Sequence, residues 1–189
     1  MTERDSPGQT AAGRLPGDLT KDELIDRIIR VDHAGEFGAK RIYEGQLAVL
    51  RGKPEAQAIE HMYQQELEHL RTFEKLMVER RVRPSALHPL WNAAGFALGA
   101  ATALLGPKAA MACTVAVEEV IDQHYRAQSE QLGADEAPLK AKIEKFRAEE
   151  LEHRDTGLEH GAQQAPAYPL LTGAIKAGSR LAIWLAERI

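Results

Sequence analysis

The chain is short of several things, and each shortage removes a class of function. Its 189 residues hold one cysteine, Cys113, so neither an internal disulfide nor a cysteine-built zinc or iron–sulfur site is available. Basic residues are outnumbered, 24 Lys and Arg against 28 Asp and Glu. The net charge of −4 and the pI of about 6.0 argue against a nucleic-acid partner. No Gly-x-Gly-x-x-Gly occurs, so the chain shows no dinucleotide fingerprint. The opening residues, Met1-Thr2-Glu3-Arg4-Asp5-Ser6, lack the apolar core of a signal peptide. No apolar run reaches the ~20 residues that a spanning helix needs. β-Branched runs are scarce while Ala, Leu, Glu, Arg and Gln are plentiful, which favours an all-α fold.

One scarcity is local. Residues 84–107 contain no Asp, Glu, Lys or Arg. The centre of this stretch, Leu90 to Gly99, is apolar but broken by glycine. It reads as a buried connector, or as a segment that enters one leaflet of a bilayer or lines an apolar channel.

Residues 1–18 hold three glycines and two prolines and are expected to be a disordered tail, leaving 19–189 as a single domain. Thr20 and Glu23 form a capping-box signature, and a first helix is expected from about Asp22 to Leu50. Gly35, Gly38 and Gly45 lie inside it, each costing ~1 kcal/mol against alanine, so close approach of another helix is expected there. Further helices are expected over about 55–81, 108–132 and 136–160, punctuated by Gly52-Lys53-Pro54, Arg83-Pro84, Gly133 and Gly161. Residues 170–189 set Leu171, Ile175, Leu181, Trp184 and Leu185 against Lys176, Arg180 and Arg188. That pattern suits an amphipathic interfacial helix or a fifth helix packed on the bundle. Segments 84–107 and 169–189 are the candidate membrane-associating parts.

What the chain has in excess is one tetrapeptide, Glu-Leu-Glu-His, present at Glu66–His69 and again at Glu150–His153. In a helix, residues three apart share a face, so Glu66 with His69 and Glu150 with His153 project together. The two copies are 84 residues apart. Glu36 and Glu118 are 82 apart, as are Tyr43 and Tyr125, and Gln46 and Gln128. Glu60 and Glu144 stand six residues before the two copies. The chain therefore reads as two helical hairpins, each with a lone Glu followed by Glu-x-x-His. Glu118 is preferred to the adjoining Glu119 because it keeps the 82-residue period and follows the apolar run Ala112–Val117. Four carboxylates and two imidazoles converging in a bundle make a site for two metal ions, better suited to iron or manganese than to zinc. Glu66 and Glu150 would bridge, with Glu36 and His69 at one end and Glu118 and His153 at the other. Cations also make the burial of four carboxylates physically sensible. This donor set is that of ferritin-like di-iron bundles, so the expected fold is an all-α, ferritin-like four-helix bundle of two duplicated hairpins.

At Arg30-Val-Asp-His-Ala-Gly-Glu36, Ala112-Cys-Thr-Val-Ala-Val-Glu-Glu119 and Phe146-Arg-Ala-Glu-Glu-Leu-Glu-His153, the chain resembles the demethoxyubiquinone hydroxylase family of di-iron monooxygenases. The resemblance covers about residues 22–189. It implies iron bound by Glu36, Glu66, His69, Glu118, Glu150 and His153, in agreement with the repeat. It implies aromatic hydroxylation in ubiquinone biosynthesis: one oxygen of O2 goes to the ring of a polyprenylated benzoquinol and the other leaves as water. It further implies electrons from NADH and peripheral attachment to the cytoplasmic side of the cell membrane. A lipid-binding accessory protein and a second copy of the chain are further expected partners. His124-Tyr125 falls in the family's third-helix motif, and Tyr125, two turns from Glu118, is a candidate electron or proton relay beside His124. Two alternatives use the same residues: ferritin-like ferroxidase or peroxidase chemistry, and a non-enzymatic membrane-bound helical scaffold. Access favours the hydroxylase, since an uncharged connector and an amphipathic C-terminus suit a lipid better than hydrated ferrous ions.

Overall fold

A computed structural model describes residues 17–189; the first sixteen residues of the expected tail lie outside the described part. Six α-helices and no strand occur among the described residues. They are α1 (Lys21–Leu50), α2 (Ala56–Arg80), α3 (His88–Leu104), α4 (Pro107–Gln131), α5 (Ala137–Glu159) and α6 (Tyr168–Ala186). Short 3-10 turns at Ala134–Glu136 and Ala162–Gln164 lead into α5 and α6. The expected capping box opens α1: Thr20 Oγ1 accepts from the Glu23 amide, and the Glu23 carboxylate accepts from the Thr20 amide. Gly161 ends α5 with φ +80°, and Gly106 joins the halves with φ +114°, conformations that favour glycine.

Helices α1, α2, α4 and α5 form the ferritin-like four-helix bundle. At one end Ile25, Ile29, Phe73, Met77, Ile143 and Phe146 pack together; at the other Leu50, Ile59, Met62, Ala110, Met111 and Val115 do so. Apolar ends leave a polar middle, where the candidate ligands sit.

The uncharged stretch 84–107 is more than a connector, because most of it is α3, laid along α1. Small residues make this possible. A Cβ at Gly99 would overlap the Ile42 carbonyl, and one at Gly45 would overlap the Phe96 carbonyl. The close approach expected in α1 thus holds at Gly45. It holds at Gly38 too, whose carbonyl would lie 2.8 Å from a Cβ at Gly95, but not at Gly35, where no atom lies within 4 Å of an added Cβ; Gly35 and Gly38 both line a cavity.

The last helix, α6, packs on α4 as α3 packs on α1. His88-Pro89-Leu90 and Tyr168-Pro169-Leu170 open the two helices alike, 80 residues apart. The likeness of the two hairpins therefore extends to a third helix in each half, α1–α3 and α4–α6. The third member was hidden because α3 is uncharged while α6 is amphipathic.

Candidate metal centre

Each candidate ligand comes from the middle of a bundle helix: Glu36 from α1, Glu66 and His69 from α2, Glu118 from α4, Glu150 and His153 from α5. All six are buried, Glu66 and His69 completely. Their donor atoms fall into two sets, each within 4.8 Å of one another: Glu36, Glu66, His69 and Glu150, and Glu66, Glu118, Glu150 and His153. Glu66 and Glu150 belong to both, the geometry of shared carboxylates. Glu119 lies outside the cluster and pairs with Lys176. Glu60 and Glu144 also stay outside; Glu60 accepts from Gln64 and Glu144 from Arg147.

The donor chemistry fits metal. Glu36 Oε2 and both oxygens of Glu66 are buried with no hydrogen-bond partner, and Glu150 Oε2 and His153 Nδ1, 2.9 Å apart, have little but each other. Such a concentration of unsatisfied acceptors is costly without cations. Protons carry part of the charge in the metal-free protein. Burial and then neighbouring carboxylates, Glu150 first, push the Glu66 carboxyl well above its ordinary value; Glu118 is raised in the same way. Burial also acts against ionised Glu150, but hydrogen bonds from His153 and His69 override it and hold this carboxyl at about 2. The His69 imidazole is pulled down by burial, then driven up to about 12 by Glu36 and Glu150. A metal bound by these groups would displace protons from them.

Around the cluster the halves brace each other. Tyr43 on α1 donates to Glu118 Oε1 at 2.9 Å, and Tyr125 on α4 donates to Glu36 Oε1. Gln46 donates to the Ala110 carbonyl at 3.1 Å, and Gln128 donates to Asp32 Oδ1 at 2.6 Å. The 82-residue spacing of Tyr43/Tyr125 and Gln46/Gln128 was the signal for these crossed pairs. Asp32, which no spacing pointed to, is buried, and burial raises its carboxyl against the lowering effect of His124. His124 does not join the cluster; its Nε2 lies 2.8 Å from Gln128 Nε2 and 3.6 Å from Asp32 Oδ1.

A cavity of about 320 Å3 runs between α1, α3, α4 and α6, lined by apolar side chains and by Gly35, Gly38 and Gly95. Val31, Gly35, Ala39, Ile121 and Ile183 line both this cavity and a narrower void that reaches Glu36, Glu118, Glu150, Asp32, His124 and Tyr125. No helix among the described residues is long and apolar enough to cross a membrane.

The profile of the family described as ubiquinone biosynthesis protein COQ7 matches residues 23–186. A Rhodospirillum rubrum protein named 3-demethoxyubiquinol 3-hydroxylase is 62% identical over 182 residues, 96% of this chain and 86% of that protein. The human mitochondrial protein named NADPH-dependent 3-demethoxyubiquinone 3-hydroxylase is 57% identical over 170 residues, 87% of this chain and 78% of its own length. A mitochondrial 5-demethoxyubiquinone hydroxylase of Saccharomyces cerevisiae is 47% identical over 183 residues, 88% of this chain and 78% of that protein.

Proposed function

The chain belongs to the ubiquinone biosynthesis protein COQ7 family, and on that premise we propose that it hydroxylates the ring of a polyprenylated demethoxyubiquinol with O2. The observation that carries this reading is the shared wall between the apolar cavity and the void at the carboxylate cluster. A cavity of this size and apolar lining suits a quinol ring and the first part of an isoprenoid tail.

Two irons are the proposed occupants, one held by Glu36 and His69, the other by Glu118 and His153, with Glu66 and Glu150 shared by both. When bound they supply the activation of O2 that the organic side chains cannot. The residues beside them handle position and protons. Tyr43 and Tyr125 hold the terminal carboxylates Glu118 and Glu36 in place. Asp32, His124 and Tyr125 line the narrow void between the cavity and the cluster and are the proton carriers proposed there. Electrons come from a reduced nicotinamide, NADPH in the names of the human and other mitochondrial relatives rather than the NADH expected from sequence.

Peripheral membrane association belongs to the same reading. Leu90, Leu104, Leu105, Leu170, Leu181 and Trp184 are exposed on α3, α6 and the turn after α3, the elements that flank the cavity. Arg188 stacks on Trp184, its guanidinium carbon 4.2 Å from the ring centroid, an arrangement suited to an interface. The test is a demethoxyquinone analogue with iron-loaded protein, reductant and isotope-labelled O2, read by mass spectrometry. One labelled oxygen in the quinone product is expected, and His153→Ala should abolish it with helix content unchanged. Mineralisation of excess iron with no quinone product would overturn the reading.

A further inference from the structure

The two half-sites match in their ligands but differ directly behind them. Both histidines turn Nδ1 inward. His69 Nδ1 lies 3.1 Å from Glu150 Oε1 and 3.4 Å from Glu36 Oε2; His153 Nδ1 lies 2.9 Å from Glu150 Oε2 and 3.3 Å from Glu66 Oε1. For an inward Nδ1 to present its lone pair to a metal, the ring proton must sit on Nε2. The two Nε2 atoms meet different acceptors. His69 Nε2 is 2.8 Å from Glu149 Oε2, whereas His153 Nε2 is 3.0 Å from Gln65 Oε1. Glu149 and Gln65 occupy equivalent positions, each just before the repeated tetrapeptide. One copy has a carboxylate there and the other a neutral amide.

An anionic acceptor polarises the N–H more strongly than an amide oxygen does and makes the opposite ring nitrogen a stronger donor. Glu149 is itself held in place, with Lys145 Nζ 3.4 Å from its other oxygen and 2.9 Å from Glu68. Gln65 has no charged counterpart to supply that polarisation.

We propose that the two metal positions are inequivalent, that the position served by Glu36 and His69 binds more tightly, and that the Glu149/Gln65 pair sets the difference. This rests on the two-metal reading above and assigns Glu149 and Gln65 as positioning residues acting through the histidines. The asymmetry gives the centre a retained ion and a more exchangeable one, and it orders assembly: the His69 position fills first.

Anaerobic calorimetric titration of metal-free full-length protein with ferrous iron tests it. The wild type should show two binding steps of one ion each, with affinities about tenfold or more apart. Glu149→Gln should weaken the tighter step about tenfold, bringing the two together at unchanged stoichiometry. Gln65→Glu should strengthen the weaker step by a similar factor, a gain that a merely structural role would not produce. Two ions bound with wild-type affinities in both variants would overturn this inference while leaving the two-metal reading intact. A wild type that binds fewer than two ions would remove the reading underneath it. Should Glu149→Gln fail to fold by circular dichroism, Gln65→Glu alone decides.

Discussion

The first half of the molecule, α1–α3, and the second, α4–α6, carry the same three candidate ligands, two Glu and one His, at matching places and wrap them differently. In the first half the outer helix is locked down: Gly95 and Gly99 of α3 and Gly45 of α1 bring two backbones into contact. In the second half Gly173 and Gly178 of α6 have no atom within 4 Å of an added Cβ, and the helix rests on α4 through Ile175, Leu171 and their neighbours. The cavity lies between the tight helix and the loose one. On the proposed two-metal reading the centre tolerates little change because every donor must reach an ion, whereas the outer helices need only cover an apolar face. The duplicated scaffold thus keeps its symmetry at the site and loses it at the entrance.

The comparison can be broken most severely where the halves share an atom set. Glu150→Ala should remove both ions, since this carboxylate belongs to both donor groups, and should abolish turnover. Glu152→Ala, two residues on and exposed, should leave iron content near normal by elemental analysis. Equal iron loss in both variants would refute the site assignment. Next in size is the cavity floor. Gly35→Leu should fill space beside Ala39 and Ile121 and cut kcat/KM at least tenfold while two irons still bind, because the side chain intrudes on substrate rather than on ligands.

Smaller effects sharpen the contrast between outer helices. Gly99→Ala should destabilise by about 1–3 kcal/mol, because the new methyl meets the Ile42 carbonyl in a packed contact. Gly173→Ala, the same change in the matching helix, should stabilise by up to about 1 kcal/mol through helix propensity. Chemical unfolding midpoints measure both, and two changes of the same sign would cancel the distinction drawn here. The smallest effect expected is at the surface: Trp184→Ala should weaken vesicle binding several-fold in a flotation assay without altering iron content, given that half of Trp184 is exposed.

Much of this was legible in the sequence for a simple reason. A bundle helix that carries ligands must place them at fixed steps on one face, so Glu66/His69 and Glu150/His153 declare themselves, and the 82-residue period selects Glu118 over Glu119. The paired tyrosines were visible as a period, but their crossed bonds to Glu118 and Glu36 depend on how α1 and α4 meet, which no spacing encodes. Asp32 was hidden because a lone acid in a charged helix looks like surface until a neighbour buries it. The helix in 84–107 was obscured by its own glycines: they weaken helix propensity locally, yet they permit the packing on α1 that repays it. Glu149 and Gln65 stand beside the repeat, but no spacing encodes that they meet the outer nitrogens of His69 and His153.

The crossed tyrosine bonds reach beyond chemistry into ancestry. Glu118 and Glu36 are each braced by a hydroxyl from the other half, and Glu66 and Glu150 belong to both donor sets. Severed at Gly106, neither piece would hold a complete donor set. A progenitor one half as long could have built this centre only by pairing with a second copy of itself about a two-fold axis. Gly106, with φ +114°, would then be the joint where two partners became one chain. From that joint onward each copy could drift alone, so that one outer helix tightened and the other stayed loose.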